Sequence, residues 1–256
     1  MAILDYKVGD ILLINNKSKM QSFNINGQRL IRKTKNVNAT HVALSLGNGI
    51  FIHADAATGV DLVFFADILE QSDGKWRVIR PPFINAENEE TLKKEAIYHF
   101  SKAYNYGFLG QEKYDALFCS QLVDKVFQSL GFHLFKHTNA FPVDFENLSN
   151  SSQDWIDVTK FYSDGLTDNT FKLLRPQYFL RKTMVSISQR QNAASNGMIN
   201  TLKEIVNLSN SLPEYQREKV DLKDIESSIK ELEEEIGNRL YNFWNDDLND
   251  FSKRNS

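Results

Sequence analysis

The sequence predicts an α+β protein with a helical extension at its C-terminal end. Three observations carry this. Short β-prone runs separated by turns fill the first ~185 residues, the mixture expected of an α+β domain. A helix opens on Cys119, the one cysteine of the 256-residue chain. Beyond residue 185, glycine and aromatic β-formers thin out and apolar residues recur in steps of three and four. The expected division is therefore 1–185 and 186–256.

Asp10–Leu13, His41–Leu46, Ile50–Ala54 and Arg77–Arg80 are the expected strands. Val42, Leu44 and Leu46 alternate with His41, Ala43 and Ser45, as on a half-buried strand. His41 thus shares a face with small residues, which leaves room for a neighbouring side chain or a substrate. Asn48-Gly49 forms a tight hairpin turn, and Ile50–Ala54 returns as the partner strand with His53 on the same side as Phe51. Ala86 to Ala103 is expected to be helical, with Asn85 or Asn88 near its cap. Leu122, Val123, Val126, Phe127 and Leu130 give the Cys119 helix its apolar face, and Gly131 closes it. Residues 131–157 are expected to form a polar loop that ends in a short strand at Trp155–Val158. The basic run Gln28–Lys35 fits a helix or a substrate-facing loop, and such runs are usually solvated.

In the extension, Ile199, Leu202, Val206 and Leu208 mark one amphipathic helix, broken at Ser211–Pro213. Leu222, Ile225, Ile229, Leu232, Ile236, Leu240 and Phe243 mark a second, with Glu231–Glu235 on its solvated side. These helices fit a hairpin packed on the first domain, a self-association element or a partner-docking element. The aromatic but acidic stretch Tyr241–Leu248 argues against an anionic membrane surface.

A thiolate is a far better nucleophile than a thiol, and a helix N-terminus favours it through oriented N–H groups. A buried structural cysteine would occupy the same kind of position. Two histidines on facing strands shift the balance toward chemistry. Cysteine catalysis needs a base, and a base benefits from an orienting third group. His41 is the candidate base and His53 its partner.

Composition bounds the rest. A net charge of −3 gives no reason to expect nucleic-acid binding. One cysteine excludes an intrachain disulfide framework, and no paired-cysteine or His-Glu-x-x-His spacing suggests zinc. No cofactor is expected. Met1–Lys7 lacks a basic start followed by an apolar run, and no stretch approaches the ~20 apolar residues needed to span a bilayer. The expectation is a chain made in the cytoplasm, with signal-less export left open.

Taken in order, these pieces resemble the circularly permuted branch of the NlpC-type papain-like cysteine hydrolases. That branch includes bacterial permuted papain-like amidases and the lecithin:retinol acyltransferase group. The matching segments are Val8–Leu13, Thr40–Leu44, Trp76–Pro81, Ala103–Phe108, Phe118–Val123 and Phe141–Asp144-Phe145. Together they cover roughly residues 5–165. The resemblance implies a central antiparallel sheet with the nucleophile helix packed on it. Cys119 would be the nucleophile and His41 the base, their order reversed relative to papain. His53 matches the second histidine of the acyltransferase group, while amidase relatives leave Asp55 or Asp61 as rivals. Tyr106 or Tyr104 would supply an aromatic hydroxyl at the oxyanion. The implied activity is cleavage of an amide or ester through an acyl-thioester, most readily as an amidase or peptidase. A lipid-directed acyl hydrolase or acyltransferase and an inactive scaffold are the alternatives. The substrate would be a peptide, a peptidoglycan-like amide or a lipid.

Overall fold

A computed structural model describes residues 6–17, 21–34, 37–107, 113–137, 139–151, 154–167, 169–213 and 222–244. Contacts divide the chain into two compact units, Met1–Lys182 and Thr183–Ser256.

The first unit is built on a six-stranded antiparallel sheet in the order β4-β3-β2-β1-β5-β8. Its strands are β1 (Val8–Asn16), β2 (His41–Leu46), β3 (Ile50–Asp55), β4 (Gly59–Phe64), β5 (Ser72–Arg80) and β8 (Ile156–Asp157). Strand β1 is central and buried along nearly its whole length, which accounts for its apolar run Ile11–Ile14. β2 and β3 are joined at Asn48-Gly49, both with positive φ (54° and 71°), and Ile50 N–H returns to the Gly47 carbonyl at 3.0 Å. This is the primed turn that matches strand twist. A pair of two-residue strands, β6 (Ala103–Tyr104) and β7 (Ala116–Leu117), runs parallel and leads into the cysteine helix.

Helices α1 (Gln21–Arg32), α2 (Phe65–Glu70), α3 (Glu89–Tyr98), α4 (Cys119–Ser129), α5 (Pro142–Ser151) and α6 (Thr159–Thr167) flank the sheet in sequence. Among them, α4 packs on β2 and β3 through Leu122, Val123, Val126 and Phe127, all buried. Gly131, with φ +86°, terminates that chain segment as the sequence suggests. At the other end of the sheet, Tyr6, Phe51, Phe65, Tyr162 and Phe171 form an aromatic cluster. Within it, the fully buried Asp10 accepts hydrogen bonds from Arg80 Nε (2.7 Å), Arg80 Nη2 (2.8 Å) and the Tyr162 hydroxyl (2.8 Å).

Several elements differ from expectation. Helix α3 stops at Tyr98 rather than Ala103 because the following backbone is claimed by β4. Ser101 N–H donates to the Val60 carbonyl and Val60 N–H to the Lys102 carbonyl, both at 2.8 Å. Residues 131–157 are not all loop, since they contain α5. Pro142 takes its first helical position, and the Asp144 carboxylate accepts the Phe141 N–H at 2.8 Å, a capping arrangement. The basic run belongs partly to α1. Its Gln28 is buried between the Ala39 carbonyl and the Val143 N–H, and Arg32 forks onto Asp144 at 2.8–3.0 Å. Lys35, Met1–Asp5 and Asn245–Leu248 lie outside the described residues.

Helical structure also begins before residue 185, because α7 runs from Asn169 to Ser211. In the second unit, α8 spans Leu222–Gly237 and stops short of Phe243. Leu222, Ile225, Ile229, Leu232 and Ile236 are its half-buried seam. Lys203 pairs with Glu233 at 2.7 Å, and Asn192 of α7 bonds both the Arg239 side chain and the Tyr241 carbonyl. The two helices thus form an antiparallel hairpin.

Candidate active site

Cys119 is the first residue of α4, preceded by Phe118 in extended geometry (φ −97°, ψ 167°). The helix start is fixed from the side. Ser120 Oγ donates to the Ala140 carbonyl at 2.7 Å, and the Phe118 and Phe141 rings stack at 6.4 Å. The backbone N–H groups of Val42 and Ser120 hydrogen-bond the Cys119 sulfur. Val42 follows His41 on β2, so the thiol docks at the start of the histidine strand.

His41 Nε2 and His53 Nδ1 lie 3.0 Å apart, with the rings nearly perpendicular at 86°. The hairpin register explains the meeting. Ser45 pairs with Phe51 and Leu44 with Ile52, so His41 and His53 share one face as diagonal neighbours. Cys119 is 4% exposed, His41 6% and His53 4%. Burial dominates their ionisation. It pushes the thiol up to about 11, against smaller opposing effects of the hydrogen bonds at sulfur. It pulls His41 down to about 3, with the neighbouring His53 adding to the shift, and His53 down to about 4, with the Lys182 charge adding. The expectation that the helix start favours a resting thiolate is therefore corrected. Loss of water costs the charged sulfur more than the helix N–H groups return.

Two neutral imidazoles sharing one N–H···N bond have two arrangements. Only the one with the proton on His41 Nε2 leaves Nδ1 as a free acceptor. In that arrangement His53 accepts at Nδ1 and His41 Nδ1 carries the basic lone pair; in the other, His53 Nδ1 donates and the proton sits on His41 Nδ1.

The remaining candidates separate. Tyr104 is close enough to Cys119 and Asp55 for their charges to act on it, and burial, the larger effect, keeps its hydroxyl protonated. Tyr106 stacks edge-on against Tyr104 at 5.0 Å, but it is 68% exposed and its hydroxyl donates to the Ala56 carbonyl at 2.7 Å. Asp55 acts on His41 through charge, while its Oδ1 accepts the Ala57 N–H at 2.8 Å. Asp61 stands directly opposite His53 across the β3–β4 ladder and is bound by Lys182 Nζ at 2.6 Å. Of the acidic pair, neither holds a His41 ring nitrogen; His53 does.

Sequence reasoning missed Lys182, 121 positions from Asp61, and the Val42 N–H at sulfur. Neither carries a local signal. Among the described residues, no group of three or more His, Cys, Asp or Glu side chains is arranged to hold a metal ion. A cavity of about 300 Å³ opens elsewhere, beside Asn38, Trp76, Arg77 and Glu146, and none of Cys119, His41 or His53 lines it.

An antiparallel sheet, a cysteine at the start of the helix packed on it, and histidines on strands that precede that cysteine define a permuted papain-like fold. The chain belongs to the permuted papain-like amidase enzyme family, YaeF/YiiX, C92, whose model matches residues 5–191. That family is one of cysteine hydrolases. No curated protein matches the chain. Among solved structures it is similar to the crystal structure of the metalloprotein yiiX from Escherichia coli O157:H7. The identity is 20% and the TM-score 0.40, with 56% of this chain and 81% of that one covered.

Proposed function

We propose that this protein hydrolyses an amide bond through an acyl-thioester on Cys119, with His41 as base and His53 as its orienting partner. The observation that carries this reading is the 3.0 Å His41–His53 contact, which frees His41 Nδ1 as a base when the shared proton sits on His41 Nε2, with the sulfur beside the adjacent Val42 N–H.

Because thiol and imidazole both rest neutral, the proton moves during attack rather than before it. His41 Nδ1 takes the sulfur proton as the S–C bond forms, and the carbonyl electrons move to oxygen. The helix-start N–H groups and the protonated Tyr104 hydroxyl are the donors available to that oxyanion. Collapse breaks the C–N bond, and the imidazolium proton passes to the leaving amine. Water, deprotonated by His41, then attacks the thioester and returns the thiol.

A second reading has a specific observation in its favour. The histidine pair matches the acyltransferase pattern, in which the acyl group passes to an amine or hydroxyl instead of water. Tyr104 beside the thiol and the Asp55 charge acting on His41 favour a polar amide substrate over a lipid chain.

The test is turnover of peptide, N-acyl-amino-acid and peptidoglycan-like amides, set beside phospholipid esters. Amide cleavage lost in both Cys119→Ala and His41→Ala is expected. Turnover retained in Cys119→Ala would overturn the reading. Ester turnover with transfer to an added amine would replace it with the second.

A further inference from the structure

Within the second unit, α7 presents an exposed strip from Met184 to Leu208 in uninterrupted steps of three and four. Every residue on it is exposed, and it lies away from the side chains that bind Arg239 and Tyr241. An unbroken heptad spacing is the signature of a helix that supercoils with another helix. The strip runs roughly 36 Å at the helical rise.

We propose that this strip is a homodimer interface in which α7 pairs antiparallel with α7 of a second copy. Self-complementarity identifies the occupant. Reversing the helix about a two-fold axis near Asn196 sets Met184 against Leu208 and Ile187 against Ile205. The same operation sets Ala194 against Met198, and the two polar positions, Gln191 and Thr201, against each other. One alignment thus matches apolar with apolar and polar with polar at each step, as an isologous interface requires.

Charge selects the same arrangement. Arg190 and Glu204 occupy equivalent flanking positions of the heptad, and neither has an ion-pair partner among the described residues. Antiparallel helices bring each of these positions against its counterpart, so Arg190 of either copy faces Glu204 of the other. A parallel pairing would set Arg190 against Ser195 and Glu204 against Ser209, with no charge matched. At the two-fold axis, an added Cβ on Gly197 would meet nothing within 4 Å, so space is left there for the Met198 side chain of the second copy.

The full chain should sediment at twice its 29.5 kDa mass at micromolar concentration. Ile205→Glu is expected to raise the dissociation constant at least a hundredfold while leaving the circular dichroism spectrum intact. Arg190→Glu should weaken the dimer about tenfold, and Arg190→Glu/Glu204→Arg should restore it. Direction is read by cross-linking in a Cys119→Ser background. Gln191→Cys protein mixed with Thr201→Cys protein should form the mixed disulfide, and Gln191→Cys alone should not cross-link. A chain that stays monomeric, a dimer indifferent to Ile205→Glu, or a Gln191→Cys self-disulfide would each overturn the proposal.

Discussion

Alkylation of Cys119 by iodoacetamide should accelerate about tenfold per pH unit from pH 7 to 10, roughly a thousandfold in all, because the thiolate fraction sets the rate. The buried thiol titrates near 11, so about one part in 10⁴ is ionised at pH 7, against roughly 3% for a free thiol near 8.5. Labelling at neutral pH should therefore run about 300-fold slower than on an unfolded control. The imidazole cannot change this at rest. Burial pulls His41 down while it pushes the sulfur up, so proton transfer from thiol to ring is uphill before substrate arrives. His41→Ala should leave the slope of the profile unaltered. The chain has one cysteine, so intact-mass measurement of adduct against time gives the rate directly. A rate that is fast and flat between pH 5 and 8, and is lost in His41→Ala, would refute the reasoning. It would mean that a thiolate–imidazolium pair exists in the resting protein despite its burial.

Four further outcomes follow from the same contacts. His53→Leu removes the acceptor that fixes the His41 tautomer and should lower kcat by about 10²–10⁴ with little change in KM. His53→Gln, which keeps an acceptor, should fall between it and wild type in steady-state assays. Lys182 helps hold His53 down near 4, so Lys182→Met should let His53 take a proton at higher pH and move the acid limb of the activity profile upward. An unmoved limb would separate Lys182 from the site. Asp10→Ala removes the buried carboxylate that accepts from Arg80 Nε, Arg80 Nη2 and the Tyr162 hydroxyl and should cost about 3–5 kcal/mol in urea denaturation. Gly59→Ala places a Cβ against the Lys102 carbonyl at φ +73°; about 2–4 kcal/mol of stability should be lost, with the Ala103–Tyr104 strand displaced.

The hairpin that carries the histidines was legible because its information is local. Alternation from His41 to Leu46 sets the face, and Asn48-Gly49 sets the register. The start of the cysteine helix was equally plain, from the apolar spacing after Cys119. Helix α5 was hidden, because Pro142–Ser151 is rich in Asn and Ser and its cap depends on Asp144, held in turn by Arg32, 112 positions away. Strand β4 becomes a strand by pairing with β3, and Asp61 interrupts its apolar run. The overshoot of α3 has the same origin: its last residues have helical propensity, but their backbone groups are bonded to Val60. The state of the thiol was least legible. A helix start argues for thiolate and burial argues against it, and only the folded environment of Cys119 decides which is larger.

The most direct test of the account is the identity of the covalent intermediate. Protein mixed with a p-nitrophenyl acyl ester and quenched in acid should carry a single acyl group, mapped by peptide mass spectrometry to Cys119 and removed by hydroxylamine. Neither Cys119→Ala nor His41→Ala should accumulate it. An adduct on any other residue, or one that forms at wild-type rate without His41, would contradict the assignment of Cys119 and His41 as nucleophile and base.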